Sequence, residues 1–494
     1  MKERCIHLVL GLLFLFFCRP VRAAFGFDDV VAMAEAASAR PYQKHSAKPA
    51  TDLSNLEYEQ YVAIRFKDAN ALWRADGLPF CLEFFPQGYL HVDAVDLNEI
   101  DDGIPRKIPF NPGVFDNPKN DLALAKSGGY AGFRIERNGA VLDEVGAFLD
   151  ASYFRMIGRG QNYGTTARGL ALNTVAKEPE EFPVFQRFWI SRPGKSDDEV
   201  IIDALMDSPS VAGAYRISVH PGTTTATVVK AALFPRREIT EFGIAPLTSM
   251  FLFNQDSHPA FRDFRPTVHD ADGLLMHNGN GEWIWRPLET GRATMVDAYQ
   301  DENPRGFGLM QRDRNFEHYQ DLVARFQLRP SVWVTPSGNW GKGAVQLVQL
   351  VSDQEPFDNI VAFWVPATPP PAHQKLEVQY QIDWTTNEMT PSGLGRVSAT
   401  RIGLTTAKPP HLRFVVEFGG LAVESLPESA KLSADVDFGP GVELVAKDLF
   451  KNEINQTWRL VVEVLQPARP VNIRAFLKRD ERRLTESWNF TWQP

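Results

Sequence analysis

Cysteine is scarce in this sequence, with three residues among 494. Cys5 and Cys18 lie in a leader-like segment, and Cys81 is alone in the rest of the chain. Once the leader is removed, no second thiol remains for an intrachain disulfide, so the fold must depend on a large hydrophobic core. Cys81 stands in the apolar run Phe80–Leu82, which indicates a small buried side chain and not a nucleophile.

An excess of basic residues is also lacking. The chain has 52 Lys and Arg against 61 Asp and Glu, which gives a net charge of −9. This balance, without any basic block, argues against nucleic acid or an anionic membrane surface as the partner. After the first 18 residues no apolar run is long enough to cross a membrane. With 44% hydrophobic residues the composition is that of a globular protein, and the length favours two domains.

The first 23 residues predict an export signal. Lys2 and Arg4 form a short positive region, and the apolar run that follows, 6–18, is too short to be a good membrane span. Val21 and Ala23 place small residues at positions −3 and −1, so cleavage is expected after Ala23. An uncleaved anchor is the alternative. No twin-arginine pair precedes the apolar run, which favours the general secretory route and a bacterial periplasm.

Short strands are predicted for most of the remaining chain, since glycine and proline occur 35 times each and indicate many turns. Two stretches have linker composition: the Pro-rich 366–371, which composition alone favours, and 391–410, rich in Gly, Thr, Ser and Pro. The segment beyond them has the size of an immunoglobulin-like sandwich. Runs rich in β-branched and aromatic residues predict strands on both sides, at 82–85, 132–135, 200–202, 225–233, 411–418, 458–465, 471–477 and 486–492.

Aromatic and polar side chains concentrate between residues 269 and 364. Five of the eleven tryptophans fall in this region, among clustered carboxylates, amides and arginines. Flat aromatic rings suit the apolar faces of sugars, and the polar groups suit their hydroxyls. A carbohydrate site is therefore one interpretation, and a β core with ordinary polar loops is the other. Paired carboxylates can act as general acid and base on a glycosidic bond, but sequence spacing alone does not select a pair.

Motifs for other chemistries are missing. The sequence has no Walker lysine, no G-x-S-x-G nucleophile elbow and no complete calcium loop. His269 and His277 lack a third partner at the spacing of a zinc site. The residues therefore predict neither a metal nor an organic cofactor.

A series of motifs in one order resembles a known family. The motifs include Ala151–Arg155, Ala167–Ala171, Leu205–Ser208, Ala245–Phe251, Gly279–Leu288, Asn303–Leu309, Arg329–Val334, Trp340–Gly343 and Asp358–Val361. Through them the chain resembles the periplasmic glucan biosynthesis protein G/D family over nearly the whole mature chain, more weakly in the last 90 residues. Its leader is more similar to that of the G branch than to the twin-arginine leader of the D branch.

The resemblance implies a mainly β protein with two domains. The large N-terminal domain would be a β-sandwich of the galactose-mutarotase-like kind, and the small C-terminal domain an immunoglobulin-like β-sandwich. In this family a strand follows the Pro-rich stretch, here at 376–383, so the boundary moves to the second linker candidate. The expected organisation is a signal peptide at 1–23, a glucan-binding or catalytic domain at 24–392, a linker at 393–408 and the small domain at 409–494.

The resemblance also implies an activity. The family is needed for osmoregulated periplasmic glucans with a β-1,2-linked glucose backbone, and some members resemble inverting endo-β-1,2-glucanases or ring-closing transglycosylases. Carried over to this sequence, the general acid is Asp358 and the general base is Asp270, and Glu355, near the acid, is expected among the substrate-binding residues. Further residues are expected to line a glucan cleft, with structural packing as the alternative for each: Tyr153, Arg155, Tyr163, Arg168, Trp283, Trp285 and Arg286. Phe326 stands where the family has tyrosine, so it would keep a stacking face for a sugar but lose a hydroxyl.

Two functions remain open at this point. The first is an enzyme that hydrolyses or transfers β-1,2-glucan in the periplasm, and the intact Asp270 and Asp358 pair favours it. The second is a non-catalytic glucan-binding protein that receives the chain from a membrane glucan synthase, for which Phe326 leaves room. The expected partners are a β-1,2-glucan chain, the membrane synthase and, by family analogy, a second copy of this chain, with no nucleic acid.

Overall fold

The structure is a computed structural model that describes residues 24–44, 51–117, 128–255, 257, 263–291, 293–439 and 441–494. The predicted leader and its cleavage site lie outside the described residues. None of the helices in these ranges is long and apolar enough to cross a membrane.

Strands dominate the described chain. The helices are α1 (Phe27–Ser38), α2 (Thr51–Ser54), α3 (Tyr58–Val62) and α4 (Leu421–Glu424). The first strands, in chain order, are β1 (Arg65–Phe66), β2 (Phe80–Pro86), β3 (Asp96–Asp101), β4 (Ile104–Lys107), β5 (Phe115–Asp116), β6 (Tyr130–Arg137), β7 (Asp143–Leu149), β8 (Tyr153–Met156), β9 (Thr166–Arg168), β10 (Leu170–Leu172), β11 (Val184–Ser191), β12 (Val200–Asp207), β13 (Val211–His220), β14 (Thr225–Pro235), β15 (Phe242–Ser249) and β16 (Phe251–Phe253). They are followed by β17 (Val268–His269), β18 (Gly273–His277), β19 (Trp283–Pro287), β20 (Met295–Glu302), β21 (Gly306–Met310), β22 (Ser331–Pro336), β23 (Lys342–Gln349), β24 (Ile360–Pro366), β25 (Leu376–Thr385), β26 (Arg396–Leu404), β27 (His411–Gly419), β28 (Ser433–Phe438), β29 (Leu444–Lys451), β30 (Trp458–Leu465), β31 (Val471–Arg479), β32 (Arg482–Arg483) and β33 (Ser487–Trp492).

Three large sheets and two two-stranded sheets, β1-β5 and β16-β17, build the described part of the molecule. A ten-stranded sheet runs in the order β2-β6-β7-β8-β9-β15-β24-β23-β20, with β10 also paired to β15. A fifteen-stranded sheet runs in the order β28-β31-β33-β19-β18-β21-β22-β25-β14-β13-β12-β11-β3-β4, with β32 also paired to β31. A four-stranded sheet has the order β26-β27-β30-β29. The prediction of a mainly β, sandwich-like fold is confirmed, and the eight predicted runs all fall on strands, whereas the likeness to galactose mutarotases and immunoglobulin domains stays a prediction.

The main core lies between the ten-stranded and fifteen-stranded sheets. Alternation along each strand decides which side chains enter it. On β6, Phe133 and Ile135 are fully buried in this core, and the Phe133 ring packs edge-on against Phe188 of the opposite sheet at 5.2 Å. The intervening Arg134 and Glu136 therefore lie on the outer face of the ten-stranded sheet.

A second core joins the long sheet to the four-stranded sheet, because the middle strands of the long sheet bury both faces. On β22, Val332 and Val334 enter the main core, whereas Trp333 between them enters the second core. On the other side of that core, Phe414 of β27 packs against Trp488 of β33 at 5.8 Å. The two sandwiches therefore share one continuous sheet, which passes from β19 to β33 through a parallel pairing.

Two linker interpretations differ from the structure. The Pro-rich stretch 366–371 lies between β24 and β25, so it crosses from one sheet to the other inside the large sandwich. The expected linker 393–408 contains β26, which pairs with β27 along its length. Turn-forming composition hid this strand, although Val397 within it is buried.

Cys81 is fully buried on β2, as the apolar run predicted. Burial raises the pKa of its thiol to about 12, and the nearby Glu136 carboxyl adds to the effect. The thiol is therefore protonated and inert at neutral pH.

Candidate active site

The backbone segment Ser249–Phe251 accepts main-chain hydrogen bonds at or next to both candidate carboxylates. The amide of Asp270 donates a hydrogen bond to the Met250 carbonyl at 2.8 Å. The amide of Asn359, directly after Asp358, donates to the Ser249 carbonyl at 3.0 Å. Asp270 and Asp358, which are 88 positions apart in the sequence, therefore lie beside the same three-residue segment.

The Asn359 side chain reinforces this attachment. Its Oδ1 accepts a hydrogen bond from the Phe251 amide at 2.8 Å, and its Nδ2 donates to the Phe251 carbonyl at 2.9 Å. The same Nδ2 donates to the Leu350 carbonyl at 3.1 Å. Asn359 thus joins the start of β24, which follows Asp358, to β16.

Asp270 is a buried carboxylate with a cationic partner. Its residue surface is 5% exposed, and its Oδ1 forms a close ion pair with the Arg329 guanidinium. Burial raises the pKa of Asp270, while Arg329 opposes that rise by favouring the ionised form. This arrangement suits a base that must be a carboxylate when water approaches.

Arg329 is itself positioned by Phe326. The guanidinium lies over the Phe326 ring at 4.2 Å from its centre, and the Phe326 carbonyl accepts a hydrogen bond from Gln311 Nε2 at 3.1 Å. Phe326 is fully buried and stacks on Tyr319 at 5.9 Å. The prediction of a sugar-stacking face at Phe326 is therefore wrong, because its ring is enclosed beneath Arg329.

Asp358 is much more exposed to solvent than Asp270. It keeps more than a third of its surface open to solvent, so a substrate can reach it. Nevertheless, the pKa of the Asp358 carboxyl is raised to about 7. Desolvation by the surrounding protein is the main cause, and the negative charge of Asp270 is the second. Arg155, Arg329 and Arg168 act against this rise. At neutral pH and below, Asp358 therefore holds a proton for much of the time, as a general acid requires.

Glu355 is partly exposed and is tied to a neighbouring loop. Its Oε2 accepts a charge-assisted hydrogen bond from Arg265 at 2.8 Å, and Arg265 also binds Asp321 at 3.0 Å. The Glu355 charge contributes to the raised pKa of Asp270. The structure thus places Glu355 near the carboxylate pair, held by an arginine.

Four predicted cleft residues extend from the pair across the outer face of the ten-stranded sheet. Tyr153 on β8 lies opposite Arg168 on β9, whose guanidinium covers the Tyr153 ring at 5.2 Å. The exposed Arg155 covers the Tyr163 ring at 4.3 Å. Burial raises the pKa of Tyr153, and the Asp358 charge contributes to this shift. The structure therefore places Tyr153, Arg155 and Arg168 near Asp358, with Tyr163 beneath Arg155, and their role in lining a glucan cleft stays a prediction.

Comparisons with known proteins give matches over nearly the whole chain. Residues 25–492 match the family described as periplasmic glucan biosynthesis protein, MdoG. This chain belongs to that family. Among its relatives, glucans biosynthesis protein G of Ralstonia nicotianae is 41% identical over 99% of this chain and 100% of its own. The probable glucans biosynthesis protein D of Shewanella oneidensis is 39% identical over 96% of this chain and 90% of its own.

The other three residues expected in the cleft lie on β19 of the fifteen-stranded sheet. Trp285 is 5% exposed in the second core, beneath the Arg312 guanidinium at 3.9 Å. Arg286 is fully buried and binds Glu289 at 3.0 Å and Asp297 at 3.2 Å. Trp283 stacks between His277 at 4.2 Å and Trp333 at 5.7 Å. The prediction that these residues line the cleft is wrong for Trp285 and Arg286 and unsupported for Trp283, because β19 is an interior strand with both faces covered.

Sequence reasoning missed two residues that organise the site, Arg329 and Asn359. Both lie inside the quoted family motifs, directly before Pro330 and directly after Asp358. Their partners are 59 and 108 residues away, so no local pattern could assign them. The only available signal was their adjacency to residues already selected.

Proposed function

We propose that this protein takes part in periplasmic glucan biosynthesis by acting on the β-1,2-glucan backbone, as an anomer-inverting endo-glucanase or a related transglycosylase. The observation that supports this most strongly is the contrast between two coupled aspartates. Burial raises the pKa of both carboxyl groups, that of Asp358 to about 7, and of the two Asp270 forms the close ion pair with Arg329, which favours its ionised form. This difference in environment supports Asp358 as the general acid and Asp270 as the general base.

The proposed reaction is a single displacement. Asp270 accepts a proton from a water molecule, directly or through further waters, as the water oxygen bonds to the anomeric carbon. Asp358 gives its proton to the leaving glycosidic oxygen, directly or through a sugar hydroxyl, as the carbon–oxygen bond breaks. The anomeric configuration inverts because water attacks opposite the leaving group. If a sugar hydroxyl takes the place of water, the same groups close or extend a glucan.

The test is mass spectrometry of the products that purified residues 24–494 form from linear β-1,2-glucan. Asp270→Asn and Asp358→Asn are measured in parallel. Shorter chains that vanish in both variants are expected for a glucanase, and products lacking one water indicate a ring-closing transglycosylase. Unchanged substrate with retained binding would instead leave a glucan-binding partner of the membrane synthase as the function.

A further inference from the structure

We propose that a cavity between the large sandwich and β26 is a second binding site, which takes a small, net-neutral saccharide of one or two rings. The cavity has a volume of about 460 Å³ and is lined by residues of both sandwiches. Pockets that bind small organic molecules measure roughly 300–1,000 Å³ and often lie where two structural units meet. This inference does not depend on the proposed function, because the described residues that line the cavity include neither Asp270 nor Asp358.

Two side chains of opposite charge on the cavity wall each have a polar atom without a partner. The Asp272 carboxylate accepts hydrogen bonds through Oδ2 from the amides of Arg312 and Asp313, both at 2.9 Å. Its Oδ1 is buried and has no hydrogen-bond partner in the described part of the chain, and the same is true of Nε of Arg312. Such atoms cost stability until a partner reaches them. Since both side chains line the cavity, a ligand inside it can supply a donor to the carboxylate and an acceptor to the guanidinium.

The Arg312 side chain is already held in place by other contacts. Its guanidinium donates to Glu486 at 2.6 Å and to Glu388 at 3.2 Å, and it lies over the Trp285 ring at 3.9 Å from the ring centre. Asp272 is likewise held by the two amides. A ligand therefore meets groups that are oriented before it arrives, which lowers the cost of binding.

Another wall of the cavity is the free edge of β26. This strand ends the four-stranded sheet, and β27 is the one described strand that pairs with it. Residues 396–402 of β26 line the cavity. Backbone N–H and C=O groups on the far side of an edge strand have no neighbouring strand to bind. The edge thus offers further donors and acceptors to a ligand.

Acidic and basic side chains on the wall are balanced. The lining includes three carboxylates and three guanidiniums: Asp272, Glu289, Asp313, Arg312, Arg396 and Arg401. A ligand with net charge therefore gains little overall attraction, whereas a neutral molecule that both donates and accepts hydrogen bonds fits this wall. Sugar hydroxyls do both, and Trp285 and Phe490 add apolar surface for the C–H groups of a sugar ring.

The experiment measures saccharide binding to purified residues 24–494 by calorimetry at pH 8. The probes are glucose and a β-1,2-linked glucose disaccharide. Ala399→Phe fills the cavity from β26, and Asp272→Asn replaces the unpaired oxygen by an amide nitrogen, which donates and does not accept. Leu404→Phe is the control, because Leu404 is on the same strand, is 61% exposed and is not among the lining residues.

The parent and Leu404→Phe are expected to bind at least one probe with a Kd of about 1 mM or tighter. Ala399→Phe loses this binding event, and Asp272→Asn binds about fivefold more weakly. The probe also raises the melting temperature of the parent but not of Ala399→Phe, because a ligand that binds only the folded state stabilises it. Tighter binding of the disaccharide identifies a glucan fragment as the ligand, and equal binding identifies a free monosaccharide.

Identical binding curves for the parent and Ala399→Phe would overturn the inference, since the saccharide would then occupy another site. Absence of binding to the parent would overturn it as well. If Ala399→Phe does not fold, Asp272→Asn decides alone, because it keeps the size of the side chain and an oxygen for the two amides. The cleavage assay with Asp270→Asn and Asp358→Asn tests the proposed function separately from all of these outcomes.

Discussion

At the scale of single residues, the two aspartates set the pH dependence. Asp358 has a raised pKa of about 7, so it loses its proton as the pH rises through that value. A general acid that is deprotonated cannot protonate the leaving oxygen. We therefore expect kcat/KM for glucan cleavage to fall about tenfold for each pH unit above about 7. A rate that stays constant from pH 6 to 9 would contradict the acid role of Asp358.

Replacement of Arg329 should shift this pH profile. It opposes the rise in pKa of both Asp270 and Asp358, so Arg329→Met raises both pKa values and moves the whole profile to higher pH. Arg325→Met is the control, because the Arg325 side chain donates to the Leu322 carbonyl. An unshifted profile in Arg329→Met would show that the ion pair does not tune the carboxylates.

At the scale of elements, Asn359 decides how β16 and the residues preceding β24 are held together. Asn359→Leu removes three hydrogen bonds and leaves both polar groups of Phe251 without that partner. We expect a loss of stability on the order of 3 kcal/mol in denaturant unfolding. We also expect kcat to fall about 100-fold, because both carboxylates move relative to the substrate.

Asn111→Ala is the control for this prediction, since Asn111 also binds backbone, at the cap of a 3₁₀ turn. It should cost about 1 kcal/mol and leave kcat unchanged. Equal losses of kcat in both variants would show a general effect of instability and not a displaced site.

Strands could be predicted from the sequence where the residues of a single strand carried the signal. Alternation and β-branched runs located β2, β6, β12 and β14, because strand period is a local property. What a strand packs against is not local. Trp285 has the chemistry of a sugar platform, yet β19 is covered on both sides by segments far away in sequence. Likewise Phe326 became a support for Arg329, which no spacing could reveal, whereas Asp270 and Asp358 came from the family motifs.

At the scale of the whole molecule, the shared sheet makes the two sandwiches one folding unit. A chain of residues 24–395 lacks β26–β33 and uncovers Leu275, Trp285 and Trp333 on the middle strands. Exposure of each costs about 1.5–3 kcal/mol, which together approaches the stability of an ordinary domain. We expect this fragment to lack cooperative thermal unfolding by calorimetry. A sharp transition like that of residues 24–494 would contradict the prediction.

The parallel pairing of β19 with β33 also determines when, during synthesis, the long sheet can form completely. Glu282, next to β19, binds Ser487 at the start of β33, although 205 residues separate them. During synthesis β19 therefore has an unpaired edge until Ser487, 205 residues after Glu282, has been added to the chain. Such distant pairing makes folding slow. Among the described residues β33 is the last strand, so the shared sheet is completed only when this segment joins it.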